Sequence, residues 1–487
     1  MKKTVRILIS LLLVFTCMLT SISFSAFARE EQAVSITQED ALVVKGEKIY
    51  NKKGEEVFLR GLNLGGWLIQ EEWFTPVNSV NGNLKTLQVL TERFGLEKTY
   101  ELFDIYQKNW ITETDFKNIA DMGFNCVRIP FWYRNFQSDE NGTWILDENG
   151  EIDLSILEWA VDMCRKYGIY AILDLHAANG VQGYADHAGL YGAYHFFDRD
   201  KKGEWYREQA AELWAVIAER FAGDPAVAMF DLLNEPMCDV PIINRIHSYI
   251  WEFYDMAYDK IREKDPERLI SMIGTWSVDK LPNPNKYGWT GVIYQYHQYD
   301  KNESDYNSRI AAGFACGYNV PQFAGEFHPV GDNVNLDFAI NAYDSNNIIW
   351  TLWTYKGYNS WAAWADWFVY GSFSDELKVD IENDNYEEIA RKWGEGLQTN
   401  SGNFREASLY QVAKKYLPYA TLDKAPFNTQ EDVDDFVPSP MKNSGYHEKA
   451  TCFFCSTYQR FASVPVIGVL MRYIHLLIHT FATSQNK

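Results

Sequence analysis

Eight apolar runs of strand length recur through the chain, at residues 57–62, 126–130, 170–176, 228–234, 269–274, 291–297, 322–326 and 348–353. Helical patterns separate most of them, at residues 113–122, 155–167, 204–221, 243–263, 305–315 and 336–345. Within the third of these, Ala210, Leu213, Trp214, Ile217 and Phe221 form an apolar stripe at helical spacing. Short apolar runs of this kind are strands buried on both faces, and strand–helix alternation joins them in parallel. The expectation is an α/β fold, a closed (β/α)8 TIM barrel. A short β-hairpin should precede it, with strands at 41–44 and 47–50 and a further turn at 51–54. A doubly wound open sheet is the alternative, but it normally carries a Gly-rich phosphate turn after an early strand, and none is evident.

In such a barrel the strand C-termini meet at one face, and that face holds the chemistry. The runs end in Asn63, Arg128, His176, Asn234 with Glu235, His297 with Tyr299, Glu326 and Trp353. A lone acidic residue after a strand usually caps the next helix. Glu235 gains meaning from Glu326, three runs later on the same face. Two such carboxyl groups suit glycosidic cleavage, which needs one acid to protonate the leaving oxygen and one carboxylate to meet the cationic sugar carbon. Metal binding is the other use of paired carboxylates. No HExxH or comparable close-set ligand motif is present, so neither a catalytic metal nor a cofactor is expected.

Composition narrows the substrate. The net charge of -21 argues against nucleic acid, whose phosphates want a basic surface. The 17 Trp, 30 Tyr and 29 Phe exceed what a core needs, and flat aromatic faces stack on sugar rings. Trp67, Trp73, Trp276, Trp361 and Trp364, with Trp367, are candidate sugar subsites, packing being the alternative for each.

The motifs LRGLNLGGW (59–67), VRIPFW (127–132), LDLH (173–176), LNEP (233–236), HQY (297–299) and AGEF (324–327) resemble, in this order, those of glycoside hydrolase family 5, the cellulase A family of barrel glycosidases. The resemblance covers residues 43–416. RGLNLGGWL followed by EEW, with ITETDF and VRIPFW, is most similar to the exo-1,3-β-glucanase branch. The resemblance implies Glu235 as acid/base and Glu326 as nucleophile. It implies Asn234 as the partner of the sugar 2-hydroxyl, and Arg128 and Tyr299 as the groups that hold the nucleophile ionised and oriented. His176 and His297 would line the site and support the acid, with Trp353 as a platform beneath the sugar. The branch often has WTWK after the eighth strand, and here Tyr355 replaces the second tryptophan.

These roles imply a retaining hydrolase of β-glucosidic bonds, with carboxyl groups about 5 to 5.5 Å apart. Its partner would be a β-glucan or a β-glucoside oligosaccharide, and a monomer is expected. Exo-1,3 cleavage is favoured by the motifs between Gly61 and Trp73, and by a Tyr- and His-rich insertion at 180–199 that should wall the site. Endo-β-1,4-glucanase or mannanase action is the alternative within the family. A non-catalytic carbohydrate-binding barrel is the alternative of another class.

Residues 1–28 place Lys2, Lys3 and Arg6 before an apolar run at 7–19 and the small residues Ala26 and Ala28. This is the pattern of a secretory signal peptide cleaved near Ala28, so an extracellular protein with no integral membrane span after cleavage is expected. The remaining chain divides into a lead-in (29–40), the catalytic domain (41–425), an acidic linker with Pro438 and Pro440 (426–440) and a tail of unknown role (441–487). In the tail, Cys452 and Cys455 with His475 and His479 imitate a zinc-finger order at too wide a spacing. Cys126, Cys164, Cys238 and Cys316 are scattered singly and read as buried free thiols.

Overall fold

A strand whose two faces are both apolar is satisfied only inside a sheet with other layers on each side, and here the sheet closes on itself. The computed structural model describes residues 35–78, 81–237, 247–329, 336–358, 371–373, 375–401 and 404–406. The expected signal peptide, the lead-in up to residue 34, Cys238, Trp361, Trp364, Trp367, the acidic linker and the tail lie outside the described residues.

The hairpin pairs β1 (Leu42–Lys45) with β2 (Lys48–Asn51) in antiparallel register, Lys45 opposite Lys48. Gly46 turns it at φ +62°, and the expected second turn follows, with Gly54 N donating to Asn51 O. The barrel strands are β3 (Arg60–Asn63), β4 (Cys126–Trp132), β5 (Tyr170–Ala177), β6 (Val227–Asp231), β7 (Leu269–Ile273), β8 (Val292–Gln298), β9 (Gln322–Phe327) and β10 (Ile349–Leu352). Each pairs in parallel with the next, and β10 closes on β3 with Trp350 opposite Arg60 and Leu352 opposite Leu62. This is the eight-stranded parallel barrel that the alternation predicts.

Helices α1 (Asn83–Phe94), α2 (Leu96–Trp110) and α3 (Glu113–Asp121) lie between β3 and β4, and α4 (Ser155–Tyr167) between β4 and β5. Helices α5 (Lys201–Arg220), α6 (His247–Lys264), α7 (Glu303–Ala315) and α8 (Leu336–Ser345) follow β5, β6, β8 and β9. Helix α5 starts earlier than its apolar stripe because the Asp200 carboxylate caps it, accepting from Lys202 N and Gly203 N. Beyond the barrel, β11 (Lys356–Tyr358), β12 (Gly371–Phe373) and β13 (Phe404–Glu406) form a small sheet, and α9 (Tyr386–Trp393) packs against α2. No described helix is long and apolar enough to cross a membrane.

Two readings of the sequence need correction. The run at 228–234 is not strand to its end: β6 stops at Asp231, and Glu235 and Met237 have φ of +34° and +54°. The chain leaves the ladder there but stays anchored, because Asn234 N donates to Leu175 O of β5. Cys126 and Cys164 are buried free thiols, whereas Cys316 is half-exposed at the end of α7.

Candidate active site

Alternation along a strand sends every second side chain into the barrel, so one arginine can meet groups from several strands at once. Arg128 of β4 is fully buried and does so. Its Nε donates to Asp231 Oδ2 at 2.7 Å, and its Nη1 to Glu326 Oε1 at 2.7 Å and Asn63 Oδ1 at 3.1 Å. Its Nη2 donates to Asn234 Oδ1 at 2.9 Å and lies 3.0 Å from Asp174 Oδ1. Burial alone would weaken the charge, but Asp174, Asp231 and Glu326 outweigh it and the guanidinium is held more firmly protonated than usual. The cost appears on the acids. Burial pushes the Asp174 carboxyl up to about 7 and Asp231 up to about 6, against the pull of Arg128 on both.

On the next strand His176 Nδ1 lies 2.7 Å from Asp174 Oδ2, and its Nε2 lies 3.3 Å from Asn234 Nδ2. Burial drives His176 down to about 3, so the ring is neutral. Asp174 accepts its one hydrogen, and the other nitrogen accepts from the Asn234 amide. That amide is thereby oriented from two sides, by Arg128 at its oxygen and His176 at its nitrogen. The Trp353 ring stacks on His176 with centroids 5.6 Å apart and planes 13° apart, and Phe74 meets it edge-on.

Glu235 follows β6, with Oε1 2.7 Å from His297 Nδ1 and Oε2 3.4 Å from His187 Nε2. Glu326 of β9 accepts from Arg128 at Oε1 and from the Tyr299 hydroxyl at Oε2, at 2.8 Å. One oxygen of Glu235, one of Glu326 and a ring nitrogen of His297 all lie within 4.8 Å of one another. These three donors could surround a cation, but they are engaged already. Arg128 and Tyr299 occupy the two oxygens of Glu326, and His297 has Glu235 on one nitrogen and Gln295 on the other. Two facing carboxyl groups, one tied to a guanidinium and a phenol and the other to an imidazole, can attack a carbon between them and give a proton to its leaving group.

The structure therefore brings Arg128, His176, Asn234, Glu235, His297, Tyr299, Glu326 and Trp353 together. Trp73 stands at the same end, half-buried, its Nε1 donating to Glu71 Oε2 at 2.8 Å and its ring against Phe74. Trp276 follows β7 and is also half-buried. Trp67 does not belong to the group, and its reading as a subsite is corrected. Its ring is 1% exposed and wedged edge-on between Phe116 of α3 and Trp159 of α4, and its Nε1 donates to Gln107 O at 2.9 Å. The ring is buried against helices outside the barrel. Tyr355, where the family branch has its second tryptophan, is buried and its hydroxyl donates to Asp115 Oδ1, so this departure lies away from the carboxyl pair.

Sequence reasoning missed Glu71, Asp174, His187, Asp231 and Gln295. Asp174 and Gln295 were accessible to it, since they stand two residues before His176 and His297 and so face the same way along their strands. Glu71, on the loop after β3, carries no such periodic signal. Burial pushes its carboxyl up to about 8, the nearby Asp186 adding to the effect and His187 opposing it. Its Oε1 lies 3.9 Å from His176 Nε2.

The chain is similar in sequence to several known proteins. The β-xylosidase of Phanerodontia chrysosporium is 30% identical over 262 residues, 53% of this chain and 52% of that protein. Glucan 1,3-β-glucosidase 2 of Wickerhamomyces anomalus is 29% identical over 253 residues, 49% of this chain and 56% of that protein. The chain spans about half the length of these curated relatives. Among solved structures, rutinosidase from Aspergillus niger matches 62% of this chain and 90% of its own, at 15% identity and a TM-score of 0.48. The family model described as cellulase (glycosyl hydrolase family 5) matches residues 90–395, more than half of the sequence, and the chain belongs to that family.

Proposed function

We propose that the protein is a retaining glycosidase acting on β-glucosidic bonds of a β-glucan, with Glu326 as nucleophile and Glu235 as acid/base. The observation that carries this reading is the approach of the two carboxyl groups, one oxygen of Glu235 lying within 4.8 Å of one oxygen of Glu326. Retaining pairs stand about 5–5.5 Å apart, whereas inverting pairs need about 6.5–9.5 Å to admit a water. Glu326, fixed at both oxygens by Arg128 and Tyr299, attacks the anomeric carbon while Glu235 gives its proton to the leaving oxygen. Water then cleaves the glycosyl-enzyme bond and returns a proton to Glu235. Asn234 presents its amide nitrogen for the sugar 2-hydroxyl, and Trp353 provides a flat face.

Exo action on 1,3-linked glucan is the finer reading, supported by the names of several relatives and by how the site is walled. The insertion at 180–199 is tied by its backbone to the first turn of α1 and the residues just before it, Leu84 N donating to Gly189 O and Tyr191 N to Asn81 O. Gln182 anchors it next to the acid, donating to the carbonyls of His176 and Asn234. A pocket closed on that side admits a chain end rather than a chain middle. The N-terminal pattern supports export with cleavage near Ala28, and the division into lead-in, catalytic domain, acidic linker and tail belongs to the same proposal.

Hydrolysis of an aryl β-glucoside tests the assignment. Wild type should be active, and Glu235→Gln and Glu326→Gln should each lose at least about 100-fold. Activity that survives both substitutions contradicts it. Products from laminarin, carboxymethyl cellulose and mannan test the finer reading. Glucose alone from laminarin fits exo-1,3 cleavage, and a ladder of oligosaccharides from cellulose or mannan overturns it.

A further inference from the structure

Gln295 and His297 alternate on β8, so both side chains enter the barrel, where both are fully buried. The Gln295 amide nitrogen lies 2.5 Å from Asp231 Oδ1 and 2.7 Å from Ser271 Oγ. Asp231 is paired through its other oxygen with Arg128, and an ionised carboxylate only accepts hydrogen bonds. The amide therefore turns its nitrogen to Asp231 and its oxygen to His297, where Oε1 lies 3.0 Å from Nε2. An amide oxygen cannot donate, so His297 carries a hydrogen on Nε2. A neutral ring with that hydrogen has a bare lone pair on Nδ1. Nδ1 lies 3.5 Å from Glu326 Oε2, which the Tyr299 hydroxyl already serves, and closer, 2.7 Å, to Glu235 Oε1. Only a hydrogen on Glu235 makes this contact attractive.

We propose that Gln295, held by Asp231, is a positioning residue that fixes the Nε2–H tautomer of His297 and so makes Glu235 the proton donor of the His297–Glu235 contact. The inference rests on the reading of Glu235 as the acid. A second feature of the fold is consistent with it. A Cβ on Gly325 would collide with Gln295 Oε1, so this amide has its place only because the residue before Glu326 is glycine.

The surroundings keep the ring neutral. Burial pushes His297 down to about 3, Arg128 of β4 and His176 of β5 acting with it and Glu326 of β9 and Asp231 of β6 against it. Tyr299 and, from the loop after β5, His187 complete the polar groups around the pair. In the reaction Glu235 loses its proton to the leaving oxygen as the C–O bond breaks and the bond to Glu326 forms. The Glu235 carboxylate then faces a lone pair it cannot use, which favours taking a proton from the attacking water. With the tautomer unlocked, His297 would place its hydrogen on Nδ1, donate to that carboxylate and weaken it as a base.

Nitrogen-15 NMR of histidine-labelled enzyme at neutral pH reads the tautomer directly, with the His297 signals assigned by their loss in His297→Gln. The expected result is a protonated Nε2 and a bare Nδ1 in wild type, and a shift of hydrogen toward Nδ1 in Gln295→Met. An Nδ1–H or doubly protonated ring in wild type overturns the proposal without any variant having to fold. Kinetics give the second readout. In Gln295→Met, kcat/KM should fall about tenfold or more for aryl β-glucosides with poor leaving groups, with its basic limb moved to lower pH. A dinitrophenyl glucoside, whose leaving group needs no proton, should be nearly spared. An equal loss for every leaving group with an unmoved pH profile means structural support only, and overturns the proposal. Absence of any glucosidase activity in wild type would refute the proposed function instead, and the spectrum would still decide the tautomer.

Discussion

Arg128 is one cation among three buried carboxyl groups, Asp174, Asp231 and Glu326, and it also orients the Asn63 and Asn234 amides. Removing one partner of a buried ion pair strands the other, at about 3–5 kcal/mol. Arg128→Met should therefore destabilise the barrel by about that amount or prevent its folding. Arg128→Lys is the more informative change, because it keeps the charge and loses the planar fork that reaches several acceptors at once. It should fold, with a lower melting temperature, and lose about 100-fold or more in kcat as Glu326 and Asn234 lose their fixed orientation. Thermal melts beside steady-state rates check this, and an Arg128→Lys enzyme with wild-type kcat would remove Arg128 from the catalytic argument. The sequence made Arg128 visible because a charge within an apolar run stands out, although the structure places it inside β4 and not at the strand's end. Gln295, two residues before His297, was legible in the way it faces but not in its role. A neutral amide in the middle of an apolar run looks like any tolerated polar residue until Asp231, on another strand, is seen to hold it.

At the scale of elements, legibility followed where each apolar face is satisfied. Helix α4 matches its sequence limits, and α8 its expected end at Ser345, because their apolar stripes pack on the barrel. Helices α1, α2 and α9 went unread, although each has an apolar face. Phe94 of α1 meets Tyr386, while Phe103 and Tyr106 of α2 meet Trp393, so these faces complete one another across most of the chain's length. Gly95, at φ +87°, divides the first two helices and breaks the periodicity between them. The bend after β6 was unread as well, since apolar Leu232 and Leu233 continue the strand pattern past the point where the ladder ends. Trp393 also donates from its indole nitrogen to Pro76 O, two residues after Phe74. Trp393→Ala should accordingly cost about 3–5 kcal/mol of stability through the cavity it leaves. Because Pro76 follows the loop bearing Glu71 and Trp73, KM should rise while kcat changes little. Calorimetry and Michaelis kinetics test this pair of effects, and a fall in kcat with unchanged KM would disconnect α9 from the substrate loop.

For the whole molecule, pH sets opposing demands on the buried groups. Glu71, Asp174 and Asp231 are raised to about 8, 7 and 6, burial being the leading cause in each case. A carboxyl group whose folded value lies above its unfolded one contributes stability that is complete at acid pH and is lost as pH rises through the folded value. His176 and His297, driven down to about 3, act in the other direction. Their contribution is complete above the ordinary histidine value near 6.5 and is lost as pH falls from there toward 3. Above pH 6.5 the histidine contribution is flat while the raised carboxyl groups still act, against the opposite effect of Lys356, whose ammonium is held below its ordinary value by burial, and stability should fall with rising pH. The slope is at most about 1.4 kcal/mol per pH unit for each proton that the folded state alone retains. A net charge of -21 adds to the fall, because a chain already acidic gains further self-repulsion with each proton lost. Calorimetric scans at constant ionic strength should give a lower melting temperature at pH 9 than at pH 6.5, and Glu71→Gln should flatten the upper part of that slope by removing the group that titrates last. A melting temperature that holds steady or rises over this interval would mean that Glu71 and Asp174 ionise in the folded protein as freely as they do in water, which contradicts their burial beside His176 and Arg128.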